Sequence, residues 1–326
     1  GDGMVRDHGG NLQAAQAEYG GEGWIDLSTG INRRAYPVPL LAPEVWTALP
    51  TAGALADLTQ AAALAYGAAA GRILPLAGAQ AAIQLYPRLR APGAARIIAP
   101  TYNEHAASLA AQGWAVEPVE GLRGLAGADL AVVVNPNNPD GRHWAPEALE
   151  GLARKVGLLV VDESFADPQP GLSVAGRGVD NILVLRSFGK FYGLAGVRLG
   201  FLLGAPALLE RAAEMAGPWA VSGPALAIGA QALRDTLWQA LTVERLQADA
   251  GRLDRMAERA GWALVGGCAL FRTYATPDAG RAQDHLARHA IWSRRFPYSG
   301  HWLRLGLPDG AEWGRLDLAL SAWRPA

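Results

Sequence analysis

Residues 181–190 read NILVLRSFGK, an apolar run that ends in Arg-Ser and is followed by a glycine–lysine pair. A short apolar run that is closed by polar and glycine residues is typical of a strand buried in a parallel sheet. Ligands of such sheets bind just beyond the carboxyl ends of the strands. The stretch therefore predicts an α/β fold with Lys190 at the ligand-binding edge of the sheet.

The chain around this stretch alternates short β-branched runs with longer amphipathic segments, which predicts βα units on a mostly parallel sheet. The predicted strands are Ile73–Leu76, Ala95–Ala99, Ala131–Val134, Leu158–Val161, Asn181–Leu185 and Leu199–Leu203. The predicted helices between them include Ala79–Arg90, His105–Gln112 and Pro146–Val156.

The pattern changes after Ala205, where the chain becomes helical to about residue 260. A strand at Cys268–Tyr274 and a helix at Ala282–Ala290 follow, which predicts a smaller α+β domain. We expect an N-terminal arm over residues 1–40 that contributes to this smaller domain, a large domain over 41–205, and a helical connection with the small domain over 206–326.

Composition limits the classes of partner. The chain has 326 residues, enough for two domains, and its 29 Lys and Arg residues nearly balance its 30 Asp and Glu residues. It therefore lacks the broad charge that attracts nucleic acid or a membrane surface, and small molecules are the expected partners. The single cysteine, Cys268, the lack of a secretory N-terminal pattern and the lack of a long apolar run predict a cytoplasmic protein.

Lysine is rare in this chain, and only Lys155 and Lys190 occur. Lys190 stands among aromatic residues, which favours the neutral amine that a Schiff base requires. Ser187 and Arg198 are placed to hold a phosphate. A surface lysine in a loop is the simpler alternative. A Walker loop is excluded, because Phe191 follows the lysine in place of Ser or Thr.

Two other strand ends carry groups that suit a flat phosphorylated ligand. Gly78-Ala79-Gln80 follows the first strand, where glycine permits close backbone approach and a helix start offers N–H groups to phosphate. Tyr102 follows the second strand and could stack on a flat ring. An ordinary turn and simple packing are the alternatives for these positions.

Two further strand ends carry an amide cluster and a carboxylate. Residues 135–141 read NPNNPDG, a rigid turn whose Asn side chains could donate to a phenolic oxygen. Asp162 closes an apolar strand, so its carboxylate needs a cationic partner such as a protonated pyridine nitrogen. A helix cap or salt bridge is the alternative for Asp162. The adjacent Glu163 should point to the opposite face of the strand in a structural role.

Together these motifs resemble the fold-type-I pyridoxal-5′-phosphate family, and most closely its histidinol-phosphate aminotransferase-like branch. The resemblance implies a central, mostly parallel sheet with helices on both faces, a homodimer, and these cofactor ligands: Gly78, Ala79, Gln80, Tyr102 (stacking), Asn138 (O3′), Asp162 (pyridine nitrogen), Ser187, Lys190 (Schiff base) and Arg198 (phosphate). Ala79 and Gln80 replace a common Ser and Glu. Phe165 replaces a common Tyr, which leaves Asn138 as the main O3′ partner.

The N-terminal strings at residues 8–11 (HGGN) and 24–32 (WIDLSTGIN) are similar to those of L-threonine O-3-phosphate decarboxylases of cobalamin biosynthesis, which make (R)-1-amino-2-propanol O-2-phosphate. This similarity implies that Arg304 binds the substrate carboxylate and Arg294 its phosphate. It also suggests that Asn32 contacts the carboxylate and His8 the phosphate. A surface salt bridge remains the alternative for each arginine, and a plain loop residue next to glycine is the alternative for His8.

Three other functions compete with decarboxylation. An aminotransferase, such as one that acts on histidinol phosphate, would use the same cofactor residues. A non-catalytic binding module is a second alternative, which the joint presence of Lys190, Asp162, Asn138 and Arg198 argues against. A nicotinamide dehydrogenase is weaker, since no strand is followed by Gly-x-Gly-x-x-Gly. We expect no metal, because His285 and His289 stand one helical turn apart without a third ligand.

Overall fold

The computed structural model describes residues 6–325. Its strands are β1 (Ile25–Asp26), β2 (Ile73–Leu76), β3 (Ala94–Ile98), β4 (Ala115–Val119), β5 (Leu130–Val134), β6 (Leu158–Asp162), β7 (Ile182–Ser187), β8 (Gly200–Leu203), β9 (Ala263–Cys268), β10 (Phe271–Ala275), β11 (Ile291–Trp292), β12 (Arg294–Phe296) and β13 (Ser299–Gly306). Its α-helices are α1 (Leu12–Tyr19), α2 (Pro43–Thr47), α3 (Ala52–Tyr66), α4 (Ala79–Leu85), α5 (Glu104–Ala111), α6 (Leu122–Leu125), α7 (Pro146–Ala153), α8 (Pro206–Ala216), α9 (Gly223–Arg234), α10 (Thr236–Arg259), α11 (Ala279–Ala287) and α12 (Glu312–Ala322).

The described chain divides into two compact units. The larger unit comprises residues 35–138 and 142–240. The smaller unit comprises the residues up to Arg34, residues 139–141 and the residues from Leu241 onward. Helices α8 and α9 thus belong to the larger unit, and the boundary after Ala240 lies within α10.

The larger unit contains a seven-stranded sheet in the order β2-β8-β7-β6-β5-β3-β4. Strand β8 runs antiparallel to both of its neighbours, and all other pairs are parallel. The central strands β5, β6 and β7 are buried along their whole length, as expected of a parallel sheet that is covered on both faces. The predicted α/β fold class with a mostly parallel central sheet is confirmed.

Strand register brings several chain segments to one edge of this sheet. Asp162, at the end of β6, is level with Val134 of β5 and Leu185 of β7. Because β8 is antiparallel, it begins where its neighbours end, and Gly200 is level with both Leu76 and Ser187. The ends of β2, β5, β6 and β7 and the start of β8 therefore share one edge.

Two features of the larger unit differ from the sequence predictions. The helix predicted over Ala79–Arg90 ends at Leu85, and a short 3-10 turn over Tyr86–Arg88 follows. Pro87 explains the change, because proline has no N–H for an α-helical bond and its ring collides with the preceding turn. Strand β4 was not predicted, since it is a largely exposed edge strand that contains Pro118.

The smaller unit contains a four-stranded antiparallel sheet in the order β12-β13-β10-β9 and a short parallel pair of β1 with β11. The strand predicted at Cys268–Tyr274 is observed from Phe271 onward as β10, but its start is wrong, because β9 and β10 form a hairpin about Ala269 and Leu270. Neither residue is a Gly, Asn or Pro, which are typical of turns, so the turn cannot be recognised within the apolar run.

The helix predicted at Ala282–Ala290 begins three residues earlier, at Ala279. Asp278 caps this helix by accepting a hydrogen bond from the backbone N–H of Arg281 at 3.0 Å. Among residues 6–325, no helix has both the length and the apolar character that crossing a membrane requires.

Candidate active site

Lys190 lies in the turn that follows β7. Its Nζ atom is 3.5 Å from the hydroxyl of Ser187 and 5.4 Å from the ring centroid of the buried Phe165. Gly189 is required in this turn, because a Cβ atom there would lie 2.7 Å from the backbone of Ala195. The amine is therefore half-buried between a hydroxyl and an aromatic ring at the carboxyl edge of the sheet.

Arg198 lies against the turn that begins α4. A Cβ atom on Gly78 would lie 2.8 Å from a guanidinium nitrogen of Arg198, and one on Gly200 would lie 2.4 Å from the backbone nitrogen of Ala79. Gly78 itself has a φ of +92°, which favours glycine. Two glycines thus allow the guanidinium of Arg198 and the start of α4 to approach each other, with Ser187 level with Gly200.

Asp162 is buried and strongly hydrogen-bonded. Its Oδ2 atom is 2.7 Å from Nε2 of His105, and its Oδ1 atom accepts from the backbone N–H and the hydroxyl of Ser164 at 3.0 and 2.5 Å. Burial opposes ionisation, but the hydrogen bond and charge of His105 and the bonds from Ser164 together lower the pKa of Asp162. Asp162 is therefore a carboxylate at neutral pH, ready to stabilise a cation.

His105 was not among the predicted site residues. It lies in the first turn of α5, is fully buried, and its Nδ1 atom is 2.7 Å from the hydroxyl of Tyr86. One histidine in a helix gives no signal of this role in the sequence. Only the pairing of β3, β5 and β6 brings the segment after β3 close to Asp162.

Tyr102, which follows β3, and Gln80, which follows β2, are in contact. The Tyr102 hydroxyl donates to Oε1 of Gln80 at 3.1 Å, and the Tyr102 ring lies edge-on to His105 with centroids 6.1 Å apart. Gln80 also lies 3.5 Å from Glu104 through its amide nitrogen. The tyrosine ring is half-buried at the same edge of the sheet as Asp162.

The three asparagines after β5 have different roles. Asn135 and Asn137 are buried, and they hold the turn together through the backbone of Trp144 and through Thr101 and Pro100. Asn138 is only half-buried. Asn138 as a ligand of the cofactor O3′ atom therefore stays a prediction.

Glu163 points away from Asp162, as alternation along a strand requires. Its carboxylate accepts hydrogen bonds from Ser173 at 2.6 Å, the backbone of Val174 at 2.8 Å and Arg186 at 3.1 Å. Burial raises the pKa of Glu163 despite these partners. The Glu163 carboxylate thus binds groups inside the protein and does not face the edge of the sheet where Lys190 lies.

In the smaller unit, Arg304 and Arg294 are direct cross-strand partners on β13 and β12, so their side chains share one face. Arg304 is buried, donates to the carbonyl of Ser28 at 2.7 Å and stacks near the rings of Phe271 and Phe296. Burial and repulsion by Arg294 lower the pKa of Arg304 to about 10, so it stays charged at neutral pH.

The N-terminal residues pack over Arg304. A Cβ atom on Gly9 would lie 2.2 Å from the carbonyl oxygen of Ser28 and 3.3 Å from Nη2 of Arg304, which explains a glycine there. The neighbouring His8 is exposed. Asn32 is buried, and its Oδ1 atom accepts from the backbone of Arg34 at 3.1 Å and from Arg245 at 3.0 Å. These bonds fix the orientation of the Asn32 amide.

No metal centre is apparent in the part of the chain that the structure describes, where no three His, Cys, Asp or Glu residues are grouped to hold an ion. The rings of His285 and His289 have centroids 5.1 Å apart. Nε2 of His285 instead lies 2.7 Å from the carbonyl oxygen of Ala319, so this ring contributes to packing within the smaller unit.

Solved structures share this fold. The histidinol-phosphate aminotransferase of Sinorhizobium meliloti in complex with pyridoxal-5′-phosphate superposes with a TM-score of 0.83 at 23% identity, over 97% of this chain and 94% of that one. The L-threonine-O-3-phosphate decarboxylase of Porphyromonas gingivalis superposes with a TM-score of 0.75 at 18% identity, over 90% of this chain and 98% of that one. The first of these structures holds pyridoxal 5′-phosphate, and the profile of the aminotransferase class I and II family matches residues 33–318 of this chain. Pyridoxal 5′-phosphate is therefore the cofactor.

The residues at the sheet edge fit that cofactor. Its phosphate needs cationic and hydroxyl donors, and Arg198 and Ser187 could supply these beside Gly78, which has no side chain. Its pyridine nitrogen suits the buried carboxylate of Asp162. Its aldehyde suits the amine of Lys190. The donor set therefore matches each part of the cofactor.

Sequence comparison gives the family. The sequence profile of the aminotransferase class I and II family matches residues 33–318. The threonine-phosphate decarboxylase of Pseudomonas aeruginosa is 43% identical over 98% of this chain and 98% of its own length, and that of a Sinorhizobium species is 44% identical over 96% and 97%. The chain therefore belongs to the class I and II aminotransferase family of pyridoxal-phosphate enzymes.

Proposed function

We propose that this chain is a pyridoxal-phosphate-dependent lyase that decarboxylates L-threonine O-3-phosphate to (R)-1-amino-2-propanol O-2-phosphate in cobalamin biosynthesis. The observation that carries the proposal is the cross-strand pair of Arg294 and Arg304. Two guanidinium groups on one face suit a small substrate with two anions, a carboxylate and a phosphate. The names of the relatives with 43% and 44% identity over nearly the whole chain support the same reaction.

The cofactor, when bound, supplies the sink for the electron pair that is left when a bond at Cα breaks. The carboxylate of Asp162 stabilises a proton on the pyridine nitrogen, because its lowered pKa keeps it ionised. Lys190 would hold the cofactor through Nζ; after the substrate amine has displaced it, the same atom, once protonated, could return a proton to Cα when CO2 has left. Asn138 and Tyr102 would also hold the cofactor, Asn138 at the O3′ atom and Tyr102 at the ring.

Arg304 and Arg294 orient the substrate. Arg304 binds the carboxylate, and its burial strengthens that ion pair because water competes less. Arg294 binds the phosphate, with His8 as a further ligand, and Asn32 assists at the carboxylate. Decarboxylation requires that the carboxylate is the group that leaves Cα, and we propose that Arg304 orients the substrate carboxylate for this step.

We also propose that the enzyme is a cytoplasmic homodimer. Large apolar side chains are exposed near the start of the larger unit, where Leu40 is fully exposed, Trp46 is 67% exposed and Leu49 is 65% exposed. An apolar surface of this kind is typical of a protein interface. A second copy of the chain is the partner that the family resemblance implies.

The decisive experiment supplies the holoenzyme with L-threonine O-3-phosphate and measures CO2 and the amine product. We expect CO2 release that is lost in Lys190→Ala and retained in Lys155→Ala, which removes the other, exposed lysine. Transfer of the amino group of histidinol phosphate, or of phosphothreonine, to an oxo acid without CO2 release would establish an aminotransferase instead.

A further inference from the structure

Asp7 forms an ion pair with the guanidinium of Arg294, the group that is proposed to bind the substrate phosphate. Its Oδ2 atom lies 2.5 Å from Nη2 of Arg294, and its backbone carbonyl accepts from the same Nη2 at 3.3 Å. Nη1 of Arg294 donates to the carbonyl of Arg295 at 2.6 Å. Both N–H bonds of Nη2 are thus directed at Asp7, and the guanidinium already holds an anion.

The local charges explain why an anion is needed there. Arg294 and Arg304 are cross-strand neighbours, and Arg294 disfavours the charged form of Arg304 by repulsion. The Arg294 side chain is only 13% exposed, so water screens this repulsion poorly. The carboxylate of Asp7 therefore offsets a concentration of positive charge in the smaller unit.

A phosphate and the Asp7 carboxylate cannot share this position. Both are anions, both require Nη2, and the repulsion between them at hydrogen-bond separation would be large. We propose that Asp7 is an internal counter-ion, which neutralises Arg294 until the phosphate group of the substrate displaces it. The proposal rests on the proposed function, which assigns that phosphate to Arg294.

The surrounding chain permits such an exchange. Gly9 is confined against Ser28, and Gly10 donates its backbone N–H to the Ser28 hydroxyl at 2.9 Å, so the chain is anchored just after Asp7. The Asp7 side chain is 38% exposed and can turn into water. A tethered carboxylate acts at a high effective concentration, and we expect it to weaken phosphate binding roughly three- to tenfold.

Asp7→Asn tests the proposal, because it keeps the shape of the side chain and removes its charge. In the full-length holoenzyme, we expect the KM for L-threonine O-3-phosphate to fall about three- to tenfold, and the dissociation constant of inorganic phosphate, measured by calorimetry, to fall by the same factor. The inhibition constant of unphosphorylated L-threonine should not change, since this ligand lacks the phosphate that is assigned to Arg294. Asp7→Ala should behave as Asp7→Asn does.

Two controls make the result specific. Asp317→Asn removes one carboxylate from the same unit, in an exposed pair with Arg259, and should leave phosphate binding unchanged. In an Arg294→Ala background, Asp7→Asn should have no effect on phosphate binding. Unchanged or weaker phosphate binding in Asp7→Asn alone would overturn the proposal, and the weaker result would make Asp7 a residue that positions Arg294.

The calorimetric measurement needs no turnover, which separates the two proposals. If the wild-type enzyme releases no CO2 but Asp7→Asn still tightens phosphate binding, the decarboxylase function is wrong and the counter-ion role stands. If CO2 is released and the variant binds phosphate as the wild type does, the counter-ion role is wrong and the function stands.

Discussion

Nε2 of His105 lies 2.7 Å from Oδ2 of Asp162, and Nδ1 of the same ring lies 2.7 Å from the hydroxyl of Tyr86. Asp162 has a lowered pKa and is an acceptor only, so Nε2 must carry the proton that is donated to it. Burial raises the pKa of Tyr86 well above its usual range, so its hydroxyl keeps its proton and can donate it to Nδ1. Tyr86 thus holds the His105 ring in place, and His105 positions Asp162.

We expect His105→Ala to destabilise the protein by about 2–4 kcal/mol, because it removes a hydrogen bond to a buried carboxylate and leaves that charge poorly compensated. Tyr86→Phe removes only a neutral donor and should cost about 0.5–1.5 kcal/mol. Urea denaturation measures both free energies of unfolding. Equal stability of His105→Ala and the wild type would show that this hydrogen bond does not support Asp162.

Lys190 is expected to carry the cofactor covalently. Reduction of the holoenzyme with borohydride, followed by peptide mapping, should place the label on Lys190, whose amine lies beside Ser187 and Phe165. Lys155, the other lysine of the chain, is exposed beyond the end of α7 and serves as an internal control. A label on Lys155 alone would refute the assignment.

The buried strands could be predicted from the sequence, because each is an apolar run that ends in polar residues. The parallel order of β6 and β7 then brings their carboxyl ends, with Asp162 and Ser187, to one edge of the sheet. Contacts that depend on the tertiary fold could not be predicted in this way. His105 becomes significant only when α5 lies beside β6, and Asp7 only when the N-terminal residues reach β12.

The ion pair of Glu312 with Arg33 predicts a pH dependence of stability. Partial burial opposes ionisation, but the Arg33 hydrogen bonds and that from the backbone of Asp309 lower the pKa of Glu312. A group whose pKa is lowered by folding stabilises the protein above its unfolded pKa, and this contribution disappears as the pH falls through the folded value. We therefore expect Glu312→Gln to cost about 0.5–1 kcal/mol at neutral pH and progressively less below about pH 4.

Urea denaturation of wild type and Glu312→Gln at several pH values measures this difference. Asp317→Asn is the control. Asp317 is exposed and lies 4.0 Å from Arg259, so this variant should have nearly the same free energy of unfolding as the wild type at any pH. A deficit of Glu312→Gln that grows as the pH falls would contradict the assignment.

The exposed apolar side chains predict a dimer that can be dissociated by one charge. Trp46→Glu places a carboxylate in the segment that also carries the exposed Leu40 and Leu49, and we expect it to shift the protein toward monomer in sedimentation equilibrium. Leu318→Glu is a matched control, because Leu318 is 69% exposed on α12 and lies outside that segment. A wild-type protein that is monomeric and fully active would rule out the homodimer.

Arg294 and Arg304 should contribute differently to the binding of L-threonine O-3-phosphate and of unphosphorylated L-threonine. Arg294→Ala removes the proposed phosphate ligand, so kcat/KM for L-threonine O-3-phosphate should fall by roughly thirty- to a thousandfold, the equivalent of about 2–4 kcal/mol for a lost charged hydrogen bond. The inhibition constant of unphosphorylated L-threonine should change little. Arg304→Ala removes the proposed carboxylate ligand and should weaken both compounds. If Arg294→Ala weakened both compounds equally, the phosphate would bind elsewhere, and the assignment of the two anions to this arginine pair would be wrong.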